Sequence, residues 1–302
     1  STAVTIISTA YLILTLTYLF TLSFIISTPY GFLYAGQSIP GLERKLKTPG
    51  ISGEEKIEVL ISLCEAYREK QVRRAITYGK EALVLLDEND NPGLRIRLLL
   101  AILDATQNSG KYEEALKIGE NVEKLALENN DPQSAATACN LMAKISKDLG
   151  YLDHSLELAM RVPKLLEKTG SRANIAEAYK NIANIYHDLR NVKRALKYNI
   201  KALDIYKQLG DKRNIARLYH NVGLVYNTSG QDKEALEYYH KALDISKELN
   251  WKMGRVVTTI NIYAVNDKER DPVQSIAVLQ EVLEISREIG QKRFTAAILN
   301  NI

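Results

Sequence analysis

Residues 172–210, RANIAEAYKNIANIYHDLRNVKRALKYNIKALDIYKQLG, are followed after Asp211 by residues 212–250, KRNIARLYHNVGLVYNTSGQDKEALEYYHKALDISKELN, and the two lines align without a gap. A chain that copies itself at a fixed spacing of this size is built from one stacked supersecondary unit. The spacing is 40 residues. A small residue stands at Ala75, Ala115, Ser155, Ala195, Ala235 and Ser275, followed each time by an aliphatic at Ile76, Leu116, Leu156, Leu196, Leu236 and Ile276. Gly110, Gly150 and Gly230 keep the same register, with Arg190 in the fourth place.

Each copy reads as two helices. Ala176, Tyr179, Ile182, Ala183 and Tyr186 recur at three- and four-residue steps, one apolar face of a helix over 175–189. Ala195, Leu196, Tyr198, Ala202, Leu203, Ile205 and Leu209 predict a second over 191–210, stopped by a left-handed Gly210. Asp131 and Asp211 sit where a carboxylate accepts the first backbone N–H groups of a helix. Ala183, Gly223, Ala195 and Ala235 are small enough to let neighbouring helices approach closely. No β-branched run alternates with period two, so the body is all-α. Such a pair cannot bury its apolar face alone, and stacking neighbours gives an α-solenoid. The pattern predicts pairs at about 54–89, 93–130, 132–170, 172–210, 212–250 and 252–290, preceded by a linker at 37–53. A seventh first helix starts near Lys292 and brings Asn301 into register with Asn181, so the chain reads as a fragment of a longer protein.

Ahead of the repeats no Asp, Glu, Lys, Arg or His occurs before Glu43. Residues 4–26 (VTIISTAYLILTLTYLFTLSFII) would make a helix of about 34 Å, enough for a hydrocarbon core of about 30 Å. Two readings stay open for residues 1–36: an uncleaved membrane anchor, or a long signal peptide cut near Ala35 or Gly36. Either makes the protein membrane-associated or exported, and the side of the membrane on which the repeats lie is not decided by the flanking Arg44, Lys45 and Lys47.

Tyr179, Ile182, Ala183, Tyr186, Ala195 and Ala202 stand at the spacing of the tetratricopeptide repeat signature, as do Tyr219, Val222, Gly223, Tyr226, Ala235, Tyr239 and Ala242. The chain resembles that family over about 54–302, in the extended version found in kinesin light chains and bacterial sensor proteins. Leu63 and Tyr263 depart from it by replacing the small residue of the first helix. The resemblance implies a right-handed superhelix whose first helices line a concave groove that binds a protein or peptide.

With 40 Lys and Arg against 36 Asp and Glu, the net charge of +4 is too small to argue for nucleic acid. Two Cys exclude a disulfide-dense scaffold, and both Cys64 and Cys139 fall on apolar helix faces, as small core residues do. No phosphate-binding glycine loop and no H-E-x-x-H is present, and His154, His187, His220 and His240 lack metal-ligand spacing. The reading is therefore of a non-enzymatic chain without a cofactor or metal.

The groove residues follow from register. Asn181, Asn221, Asn261 and Asn301 form a column at the repeat spacing. A side-chain amide matches both halves of a peptide group, so the column could hold an extended ligand by its backbone. The competing reading is that each Asn bonds the adjacent helix and sets the angle between repeats. Lys180, Asn184 and His187 in the fourth repeat, and Arg217, His220 and Asn227 in the fifth, make the wall basic and Asn-rich. Val257, Ile260 and Ala264 make it apolar in the sixth. These residues predict a partner with an acidic stretch next to an apolar anchor. The function expected is a membrane-directed protein-interaction module. The alternative is the sensory input of a bacterial signalling protein whose kinase, diguanylate cyclase or DNA-binding output follows residue 302, and a scaffold of the bacterial envelope is a third class.

Overall fold

The computed structural model describes residues 38–87, 91–169, 171–266, 280 and 282–288. Its elements are helices: α1 (Ile39–Leu46), α2 (Gly53–Tyr67), α3 (Val72–Asp87), α4 (Pro92–Asn108), α5 (Tyr112–Glu128), α6 (Pro132–Asp148), α7 (Leu152–Leu166), α8 (Arg172–Asp188), α9 (Val192–Leu209), α10 (Lys212–Thr228), α11 (Asp232–Glu248) and α12 (Lys252–Asn266). A short 3₁₀ turn, Glu167–Thr169, follows α7, and residues 282–288 are again helical. Among the described residues there is no β-strand. The expected helix pairs are found at their predicted places from α2 to α11.

The turns show a shorter rhythm than the 40-residue one. Gly110, Asn130, Gly150, Arg190, Gly210, Gly230 and Asn250 all have positive φ, so from residue 110 to 250 every described twentieth residue is left-handed; Lys70, in the same register, is not, and residues 90 and 170 lie outside the described set. The residue after each of them donates its N–H back into the preceding helix: Asp131 to Ala126 O (2.8 Å), Asn191 to Tyr186 O (2.8 Å), Asp211 to Tyr206 O (3.0 Å) and Trp251 to Ser246 O (2.8 Å). These bonds satisfy carbonyls that a helix end leaves open and fix the angle at which the chain turns back. Side chains then cap the next helix. Asp131 and Asp211 accept from the Ser134 and Asn214 N–H groups at 3.0 Å, as expected, and Asn91 and Asn191 do the same at 3.1 Å.

The chain divides into two compact units, 38–185 and 186–288 of the described residues, with the division inside α8. In the first unit, one core joins α1 to α4 through Leu42, Leu60, Leu63, Leu86 and Leu98. A second joins α4 to α7 through Leu99, Leu103, Val122, Ala138 and Ile145. Cys64 and Cys139 are buried there, and burial pushes both thiols up to about 12. Cys139 donates its S–H to the Glu123 carboxylate, which also receives Arg161. In the second unit Ala235, Tyr239 and Ile262 form one core, and Val256, Val257 and Ile260 pack with Val282, Leu283 and Ile285 in another.

Three sequence expectations need comment. The stretch read as a linker, 37–53, contains helix α1, capped by Ser38 and docked by the buried Leu42. Glu43 there accepts the Tyr67 hydroxyl (2.8 Å) and Arg74 Nη2 (2.6 Å), so the segment is part of the first core. The apolar wall expected in the sixth repeat is not open, because Val257 and Ile260 are buried in the core just named. Residues 4–26 and the seventh repeat with Asn301 lie outside the described residues; among those described, no helix is long and apolar enough to cross a membrane.

Two substitutions test this account. A Cβ on Gly223 would lie 2.6 Å from Tyr239 Cδ1 and 3.1 Å from the Ala235 carbonyl oxygen, too close for either to stay. Gly223→Ala should lower stability by about 1–2 kcal/mol in urea unfolding, overpacking outweighing the better helix propensity. Arg190 is exposed and left-handed (φ 56°), where its three counterparts have glycine. Arg190→Gly should raise stability by about 0.5–1 kcal/mol.

Candidate functional site

In the second unit the site starts from helix α10. Asp211 caps it, and its second oxygen accepts Asn214 Nδ2 at 2.7 Å. Asn214 Oδ1 in turn accepts Arg217 Nη1 at 2.9 Å. These three residues, one turn apart, aim the guanidinium along the helix. Arg213 and Arg217 both lie over the Trp251 ring, at 5.1 and 5.6 Å from its centroid. The indole is tucked in at the start of α12 because the next turn has Gly254, whose missing Cβ would fall 2.3 Å from Trp251 Cε3. An aromatic face attracts a cation without neutralising it, so the indole holds both guanidinium groups in place with their charge intact. Neither α10 nor α12 carries an acidic residue. Their remaining lysines are paired at the edges, Lys212 with Glu248 and Lys252 with Glu288 (3.0 Å).

Arg97 holds the same repeat position as Arg217 and shows the contrast. Its guanidinium is gripped by Glu65 at 2.9 and 3.0 Å and by Glu58 at 2.9 Å. The first unit uses that charge to join α2 to α4.

The polar seam beneath is buried. His220 is 3% exposed and reaches α12 with both ring nitrogens, Nδ1 at 3.3 Å from Thr258 Oγ1 and Nε2 at 3.2 Å from Asn261 Nδ2. With the Asn261 amide donating, the ring is a neutral Nδ1–H tautomer that donates to Thr258. Its face packs on Tyr239, with centroids 5.4 Å apart. Burial holds its pKa down to about 4.

The expected groove residues therefore separate. Arg217, Asn221 and Asn227 are half-buried on α10, and Asn227 lies beside the Tyr239 hydroxyl. His187 bridges α8 to α10, its Nε2 2.9 Å from Thr228 Oγ1. His220 and Asn261 are not on an open wall: their polar atoms face each other between α10 and α12, the helix-joining role that the Asn column left open. Lys180, Asn181 and Asn184 lie on the part of α8 that belongs to the first unit; Lys180 is buried and paired with Glu177, while Asn181 and Asn184 are half-buried. Sequence reasoning missed Arg213, Asn214, Thr258 and Trp251. The signal was present: Arg213 and Arg217 are one helical turn apart, and the period places Trp251 at the start of the next first helix. Among the described residues no group of three His, Cys, Asp or Glu side chains could hold a metal ion.

Helix pairs stacked on a 40-residue period define an α-solenoid. Residues 174–248 match the sequence profile of the Tetratricopeptide repeat family, and the helix pairs on either side are similar to that repeat in fold. No curated protein matches the sequence. Solved structures share the fold at low identity. BtubC from P. vanneervenii is 21% identical with a TM-score of 0.58, over 78% of this chain and 92% of that one. A signal transduction ATPase with a tetratricopeptide repeat sensor from Pyrococcus horikoshii is 15% identical with a TM-score of 0.67, over 86% of this chain and 41% of that one. A kinesin light chain-like repeat protein from Podosopora anserina is 16% identical with a TM-score of 0.57, over 65% of this chain and 97% of that one.

The depressed His220 pKa sets a pH dependence. The unfolded chain takes up a proton near 6.5 and the folded one only near 4, so stability is complete above pH 6.5 and falls as pH drops towards 4. At pH 4.5 this amounts to about 2–3 kcal/mol. Urea titrations at pH 7 and 4.5 should show that His220→Gln loses that much less stability between the two pH values than the parent does.

Proposed function

We propose that this chain is a protein-interaction module, membrane-directed through residues 4–26, whose α10–α12 wall holds an acidic segment of a partner. The observation that carries this reading is the pair Arg213 and Arg217, fixed on Trp251 on helices that contain no acid. Guanidinium forks bind carboxylates through two parallel N–H donors, and such charge-assisted bonds are about twice as strong as neutral ones. Half-buried Asn221, one turn beyond Arg217 on the same helix face, places an amide suited to a peptide group of the same ligand. Asn261 is excluded from that role by its bond to His220, so the ligand backbone is held on α10.

The repeat fold favours such a ligand because its first helices follow one another along one face, and an extended peptide can be read a few residues per repeat. The test is fluorescence anisotropy of the full chain with Asp/Glu-rich peptides and with matched Asn/Gln versions. The acidic set should bind at least tenfold tighter at low salt, and Arg213→Glu/Arg217→Glu should remove that advantage while thermal unfolding stays unchanged. Equal affinity for both sets, or a variant that binds acidic peptides normally, would show the reading to be wrong.

A further inference from the structure

We infer that the outer face of α9 is a docking surface for anionic lipid headgroups. The helix carries Lys193, Arg194, Lys197, Lys201 and Lys207 against one acid, Asp204. Lys193, Lys197, Ile200, Asp204 and Lys207 fall on one stripe at the helical spacing, with Arg194 and Lys201 on its flank. All of them are exposed, and Ile200 at the centre of the stripe is 51% exposed. Leu209, at the end of the helix, is 45% exposed.

The repeat supplies its own controls. At the same positions on α11, Glu237 replaces Lys197, and that helix carries five acids, Asp232, Glu234, Glu237, Asp244 and Glu248, against Lys233, Lys241 and Lys247. Helix α5 carries Glu113, Glu114, Glu120, Glu123 and Glu128 against two lysines. The cationic stripe is thus peculiar to α9 and is not required by the fold.

Tyrosines underlie its flank and its C-terminal end. Arg194 lies over the Tyr186 ring (5.4 Å), Lys201 over Tyr198 (5.3 Å) and Lys207 over Tyr219 (5.8 Å). Among the described residues no acid pairs with Lys193 or Lys197. A row of cations around an exposed aliphatic suits a charged interface with an apolar layer beneath it. Lysine stems cover apolar surface while their heads stay with the phosphates, and Ile200 enters between them. An acidic protein or nucleic acid would use the charges but leave Ile200 against polar groups. Each basic residue near an anionic bilayer strengthens binding about fivefold, so the stripe gives weak, salt-sensitive adhesion that complements a second membrane signal such as residues 4–26. The surface is separate from the α10–α12 wall and does not depend on a peptide ligand.

The experiment is vesicle co-sedimentation of the full chain with phosphatidylcholine alone and with 30% phosphatidylserine, on the order of 50 and 300 mM KCl. Neutral-vesicle binding, to which residues 4–26 contribute, is subtracted. The expected result is a phosphatidylserine-dependent fraction that falls at high salt and drops at least about 30-fold in Lys193→Glu/Lys197→Glu/Lys207→Glu. Lys233→Glu/Lys247→Glu on α11 should change it by less than about threefold, and Ile200→Ser should lower it without changing the charge. Melting curves confirm that the variants are folded. Equal binding to neutral and anionic vesicles, retention by the α9 variant, or an equal loss in the α11 variant overturns the assignment. So does binding of a DNA duplex through these lysines with no vesicle binding, which would give the face to nucleic acid.

Discussion

A helix with apolar residues on two flanks has no way to bury both against a single partner. That constraint runs through the whole chain. Leu98 of α4 joins the core with α1 to α3, and Leu99 and Leu103 of the same helix join the core with α5 to α7. The cores are continuous along each unit only because consecutive helices meet at a repeatable angle. Between residues 110 and 250 left-handed residues twenty apart set that angle, and missing side chains at Gly119 and Gly223 let Met142 and Tyr239 seat against the opposing helix.

Polar chemistry on the first helices then divides between hydrogen bonds that join repeats and stacking on an aromatic ring. Arg97, His220 and Asn261 join: their donors and acceptors are used by the neighbouring first helix. Arg213 and Arg217 rest on the Trp251 ring, and Arg217 also donates to Asn214 on its own helix. The same repeat position therefore carries an arginine paired with two carboxylates in one unit and one stacked on an indole in the other.

The helix pairs were legible because small-plus-aliphatic dyads such as Ala195-Leu196 and Ala235-Leu236 recur in strict register. The twenty-residue rhythm of the turns was not, because Asn130, Arg190 and Asn250 do at every third turn what glycine does elsewhere, and only backbone angles reveal it. Helix α1 was missed for its length: eight residues give too few turns for a periodic pattern, and its Ser38 cap reads as linker polarity. For the site, register identified which residues stand on first helices. It could not say which of them a neighbour covers. His220 and Asn221 are adjacent in sequence, yet one is buried against α12 and the other half-buried, a difference of one helical step. Trp251 was overlooked because it lies in a turn, outside any helical pattern.

The central claim is that ligand recognition resides on α10 and its neighbour α12. Hydrogen exchange of the full chain, with and without a saturating acidic peptide, tests it most directly. The account predicts slower exchange confined to α10 and the start of α12, around Arg213, Arg217 and Trp251. Protection that falls on the second helices α9 and α11 and leaves α10 unchanged would contradict it.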